Sequence, residues 1–222
     1  MSMEEPGAAP QPPPPPPSMA WAPPPAERAS GLEYGNVLGR VLAYWLDSFV
    51  VNIVAVLATL LVSLVFARGG FGLVSLVSGV VGVGIHLLYF VGFWTGHARA
   101  TPAMRLMKLQ MGGAVDGATL TVQQGITRWI AFGGLFQALA VVPGLLRLVV
   151  LVSPVWALAL LVSTMASPTR QGLHDRIAGS AIVQPVRAST PAMACLVLLI
   201  VGFVGVVAVA VAVELLRGGA GT

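Results

Sequence analysis

The chain has 222 residues, 56% hydrophobic and only 9% charged, with a mean hydropathy of +0.87. Ordinary soluble domains are about a quarter charged, so this composition excludes one and points to a polytopic protein of the lipid bilayer. The net charge of +4 and the pI near 10.0 come from twelve Lys and Arg scattered between apolar runs, which fits loop charges and not a nucleic-acid surface. The single cysteine, Cys195, lies in an apolar run and can close no intramolecular disulfide.

Residues 1–30 hold eleven of the seventeen prolines, including Pro12 to Pro17, with few aliphatic residues to bury. A disordered proline-rich tail is expected, its polyproline run serving as a spacer or as a ligand for an aromatic-lined groove. It lacks the basic region and apolar core of a signal peptide, so the first hydrophobic run is expected to stay as an anchor.

Two spans are predicted at about Val37 to Phe66 and Phe71 to Trp94, each long enough to cross about 30 Å of hydrocarbon. The short link through Arg68 makes them an antiparallel hairpin. Arg28, Arg40, Arg99, Arg105 and Lys108 gather on the other side, which by the positive-inside rule places the N-terminus in the cytoplasm. Turn formers at Gly112 to Gly117 between Arg105–Met111 and Ala118–Val122 suggest a small cytoplasmic hairpin loop. The apolar stretch 126–165 would be about twice a bilayer's thickness as one helix, so it should break near Pro143-Gly144 into spans at 123–142 and 145–165. The alternative is an interfacial helix carrying Arg128 followed by one span. A last span is expected at 192–213. The fold class is therefore an all-α transmembrane helical bundle of about five spans, four being the alternative, with the C-terminus outside in the five-span case.

Inside the first span, Arg40, Tyr44, Asp47 and Val51 share one helical face. Asp47 is the only acid well inside an apolar run, so that face should look into the bundle or a wet cavity and not at lipid. Arg40 and Asp47 in the first span, with Arg170-Gln-Gly-Leu-His-Asp-Arg-Ile-Ala-Gly-Ser180 downstream, make the chain resemble the RDD family, named for one arginine and two aspartates. On that resemblance the named residues fall on Arg40, Asp47 and Asp175. The family's G-x-TPGK segment is similar to Gly96 through Thr101-Pro102-Ala103-Met104-Arg105, with TPAM in place of TPGK, and a downstream arginine falls on Arg128. Ser180 stands where the family has threonine. The likeness covers about 36–185, leaving 1–30 as a tail and 190–216 as an added C-terminal helix. It implies a multispan membrane protein, proposed for transport of ligands mostly unidentified, with some members linked to sodium/proton exchange.

Ser75, Gly79, Gly82 and His86 line one face of the second span, where small residues allow close approach of a neighbouring helix. Asp47 and His86 fall within about a turn of each other in depth, so a proton-exchanging pair is geometrically open. The plainer reading has His86 hydrogen-bonded inside a packed bundle. For Asp47, a structural partner such as Arg128 or Arg40 weighs as much as a substrate or ion role. Arg40 alone reads as a headgroup anchor. Asp175 alone reads as a cap or as docking onto the loop. No metal-ligand spacing, nucleophile motif or phosphate loop appears, so neither a cofactor nor an enzyme is expected. Two function classes stay open: transport of an ion or small solute coupled to protons in a bacterial plasma membrane, with Asp47, His86 and Arg128 as the site, or a scaffold whose working part is the proline-rich tail. A transporter this small would work as a homo-oligomer, with Ser75, Gly79 and Gly82 as contacts.

Overall fold

Asn36 starts the first long helix, α1 (Val37–Val65), by accepting the Gly39 amide on its side chain in the manner of an N-cap. The computed structural model describes residues 32–66 and 68–185, together with Gly202 and Gly205. After a short turn in which Gly70 takes φ 76°, α2 (Gly70–Thr95) runs back along α1 as expected. With α6 (Leu146–Ala166), these make three helices long and apolar enough to cross a membrane. Their outer faces leave Leu57, Leu60, Leu61, Leu151, Val155 and Leu158 exposed, a continuous apolar surface that suits lipid and not water.

One end of this bundle carries a cap. Strands β1 (Leu32–Tyr34), β2 (Gln110–Gly113) and β3 (Ser180–Pro185) form a three-stranded antiparallel sheet in the order β1-β3-β2, with Tyr34 opposite Val183 and Met111 opposite Ile182. The all-α expectation is corrected by this sheet, and so is the hairpin. Strand β2 forms, but Ala118–Val122 does not return along it, because Asp116 takes the Ala118 amide at 3.0 Å and Gly117 turns the chain at φ 60°. Thr121 and Gln124 then close a capping box on α4 (Val122–Trp129). The partner of β2 is instead β3, about seventy residues later. Before β2, Thr101 and Pro102 open a short helix α3 (Pro102–Leu106), where the sequence reading had extended chain from Arg105.

The expected third span is a broken helix. α4 passes into a π-helical turn at Ile130–Gly134 and then α5 (Leu135–Ala140), with Gly133 at φ 149° inside the break. Only glycine adopts that backbone freely, and Gly134 lies so close to Trp129 that an added Cβ would fall 2.3 Å from its ring. The segment runs antiparallel to α2, with Gly125 against Thr95 and Val141 against Gly79. The turn at Pro143-Gly144 leads into α6 as predicted, Gly144 taking φ 86°. A last short helix, α7 (Leu173–Ile177), precedes β3.

The core sits at the capped end. Ala43, Phe90, Trp94, Met104, Met111, Trp129 and Ile182 are all buried there, joining α1, α2, α3, α4 and the sheet. The expected tail at 1–30 lies outside the described residues. So does the expected span at 192–213, apart from Gly202 and Gly205, which are helical and lie beside the rings of Trp45 and Phe49.

Candidate functional site

Asp47 is 2% exposed and faces away from lipid, as its helical position requires. Its Oδ1 accepts the Tyr89 hydroxyl at 2.8 Å and the Ala103 amide at 3.2 Å, while Oδ2 accepts the Thr101 hydroxyl. Thr101 is the N-cap of α3 and takes the Met104 amide at 3.2 Å. Two of the donors that a helix start leaves without partners are thus met by Thr101 and Asp47 together. The TPAM segment is where the first span docks. Ala103 contributes only its backbone N–H to Asp47, and Arg105 is exposed.

Asp175 is fully buried between two arginines. Arg40 Nη1 lies 3.2 Å from Oδ2, and Arg128 reaches Oδ1 through Nε at 2.9 Å and Nη2 at 2.8 Å. Arg40 also donates to the carbonyls of Arg170 at 2.6 Å and Ile182 at 3.0 Å, tying α1 to the cap on both sides of α7. The Arg128 guanidinium stacks 4.3 Å above the Trp94 ring, which substitutes for part of its lost hydration. Burial alone would raise the Asp175 carboxyl, but Arg128, the His174 ring and Arg40 outweigh it and hold it down at about 2. His174, whose Nε2 lies 3.5 Å from the same carboxylate, is held down at about 4 by burial, with Asp175 opposing and the two arginines adding to the effect. It is therefore neutral at pH 7.

His86 has other partners. Trp129 donates its indole N–H to Nδ1 at 2.9 Å, and the Gln137 amide lies 3.0 Å from Nε2. An indole can only donate, so Nδ1 must accept and the ring proton sits on Nε2, which calls for the oxygen of the Gln137 amide, rather than its nitrogen, as the acceptor. Asp47 and His86 share no hydrogen bond, and neither Arg40 nor Arg128 pairs with Asp47. The matching depth inferred from sequence holds no information about azimuth: His86 looks toward α4 and α5, Asp47 toward α2 and α3. On the small-residue face, Gly79 is taken up by Val141 of the same chain.

Between α1 and α6 lies a cavity of about 330 Å³. Its polar lining is Arg40, Tyr44, Asp47, Arg128, Thr164 and His174, and the rest is apolar, with Trp94, Phe90, Phe132 and Leu160 in the wall. Val41, Trp45 and Leu161 at its rim are exposed toward the lipid-facing surface. Among the described residues no group of three or more potential metal ligands occurs.

A family model described as RDD family matches residues 34–179, from the sheet through α7, and Arg40, Asp47 and Asp175 all fall within it. The chain belongs to the RDD family. No curated relative and no solved structure matches it. In this RDD protein the three named residues do not form one cluster: Arg40 and Asp175 pair, and Asp47 serves a separate joint. Sequence reasoning missed Tyr89, Thr101, Trp129 and Gln137 as partners. For Thr101 a signal was present, since Thr-Pro ahead of an apolar turn is a helix-start signature.

Proposed function

We propose that this RDD membrane protein moves a small solute across a bacterial plasma membrane, taking it up in the cavity between α1 and α6, with the capped end in the cytoplasm. One observation carries the reading. The cavity lies on a seam between two bodies: Asp47 ties α1 to α2 and α3, while α6 packs on α5, the π-helical turn and α7. Motion across such a seam would open the cavity while the joint at Asp47 stays made, and opening toward the capped end would part Arg40 from Asp175, the pair that crosses the seam. Among the described residues, four passes, with α4 and α5 as a broken third, would keep α3, α7 and the sheet on one side. Asp47 with both oxygens engaged is a poor cation ligand, and His86 is no proton partner for it, so the cavity and not an Asp47–His86 pair is the substrate site.

The test is purified protein in liposomes, followed by light scattering on mixing with isotonic sodium acetate, glycerol or choline chloride, and by an internal pH dye under a proton gradient with Na⁺, K⁺ or Li⁺. Permeation of at least one solute above protein-free vesicles, reduced in Ala157→Phe at the cavity wall, is expected. Rates equal to protein-free vesicles for every solute and cation would overturn the reading.

A further inference from the structure

Asp175 is outnumbered. Arg40 and Arg128, which both line the cavity, pair with it, so two buried guanidinium groups share one carboxylate just behind the cavity wall. Asp47, the acid in the lining, is engaged by Tyr89, Thr101 and Ala103 on the opposite side. Arg128, with its side chain 4% exposed, makes no hydrogen bond through Nη1 among the described residues, and Arg40 Nε and His174 Nδ1 are buried without partners there. Two buried arginines to one carboxylate, with Arg128 Nη1 and Arg40 Nε as donors to spare, call for an acceptor that carries negative charge; the neutral His174, its one N–H turned to Asp175, offers Nδ1 only as an acceptor. The remaining wall is aromatic and aliphatic, and its rim faces lipid.

The level of the cavity narrows the ligand further. Its α1 lining runs from Val37 to Asp47, the first eleven residues of a helix of twenty-nine, which at 1.5 Å per residue is the outermost ~16 Å of the span. That is the depth at which an amphiphile in the same leaflet holds its head and first methylenes. We propose that the cavity binds a single-chain anionic amphiphile, its carboxylate or phosphate head on Arg128 and its chain leaving between α1 and α6. The inference rests on the cavity being the solute site and names the class of solute it takes.

The experiment uses the full chain in a neutral maltoside detergent, where Trp45 and Trp94 in the lining report a brominated chain by fluorescence quenching. Four probes of one chain length are titrated: brominated stearate, the brominated alkyl phosphate, the uncharged methyl ester and the trimethylammonium salt. Saturable quenching by the carboxylate, the phosphate or both, at least tenfold weaker with the ester and the ammonium, is expected, and the stronger anion identifies the head. Ala157→Phe should weaken it tenfold or more without touching the ion cluster. Arg128→Gln combined with Asp175→Asn, which strands no carboxylate, should erase the preference for anions. Equal quenching by all four heads would mean partition into the micelle and would overturn the proposal, as would binding indifferent to Ala157→Phe. Absence of saturable quenching would also overturn it. Anion binding with no permeation in liposomes would sink transport and leave this site standing; permeation of another solute without anion binding would do the reverse.

Discussion

The two ends of the helical bundle are built on different principles. At the capped end, α1, α2, α3, α4, α7 and the sheet converge on buried side chains, two carboxylates with all their oxygens engaged, and a histidine bracketed by tryptophan and glutamine. At the other end, Leu60, Leu61, Leu64, Leu151 and Val155 are exposed, and a Cβ added at Gly72 would meet nothing within 4 Å. The difference follows from the solvents each end meets. Lipid tails are as apolar as leucine, so helices in hydrocarbon gain little by burying leucine against one another, whereas polar groups must be satisfied inside the protein. The capped end is therefore where substitutions should be felt.

The sharpest contrast is at the ion cluster. Asp175→Ala leaves Arg40 and Arg128 buried without their counter-charge, a loss of about 3–5 kcal/mol for a broken buried pair. Leu60→Ala on the lipid face should stay within about 0.5 kcal/mol, the range of substitutions away from structural features. Thermal unfolding in detergent compares the two, and equal melting temperatures for both variants would refute the division between the ends. Asp47→Ala comes next. It leaves the Tyr89 hydroxyl, the Thr101 hydroxyl and the Ala103 amide short of an acceptor, about 1–3 kcal/mol for each group left buried and unpaired. Lower folded yield and faster proteolysis of the α2–α3 connection are expected, with Asp47→Asn intermediate because its amide keeps one acceptor. Yield and melting unchanged in Asp47→Ala would mean that the joint is not structural.

Two glycines sharpen the comparison at a smaller scale. Gly134→Ala forces a methyl into the Trp129 ring, overpacking that typically costs about 1–3 kcal/mol, and through Trp129 it should loosen His86. Gly82→Ala has open space in the chain and should be neutral or slightly stabilising, since alanine is the better helix former. Tryptophan emission and melting temperature measure both.

Apolar run length located α1 and α2 closely, and Pro143-Gly144 marked the start of α6, because lipid imposes both length and hydropathy on a span. The face of Asp47 followed from its charge. The break at Gly133 was not legible, since a pair of glycines between Phe132 and Leu135 has no distinguishing pattern until Trp129 is known to lie against Gly134. Nor was the β2–β3 pairing, which joins segments about seventy residues apart through a register that only the folded cap defines. Arg128 could have met either Asp47 or Asp175 on depth alone. The docking of α7 decided it, and that is a long-range event with no local signature.

The smallest effect expected is a pH dependence confined to the capped end. His174 is held neutral down to about 4, while in the unfolded chain it takes a proton near its ordinary value of 6.5. Its contribution to stability is thus complete above about pH 6.5 and declines as pH falls toward 4, because only the unfolded state gains the proton. Asp175 extends the decline. Its folded value of about 2 lies below the ordinary 3.8, so the stability it supplies is present above about pH 4 and is lost as pH falls from there toward 2. The melting temperature of the wild type should therefore fall in two stages on acidification. His174→Gln should flatten the stage between pH 6.5 and 4, and Asp175→Asn, though less stable throughout, should flatten the stage below 4. Proteins whose lipid-facing ends are altered, such as Leu60→Ala, should keep both stages, since His174 and Asp175 lie at the capped end. A wild-type melting temperature constant from pH 7 to 4 would show that His174 is not held neutral in the folded cap, and with it that the cluster around Asp175 is open to water.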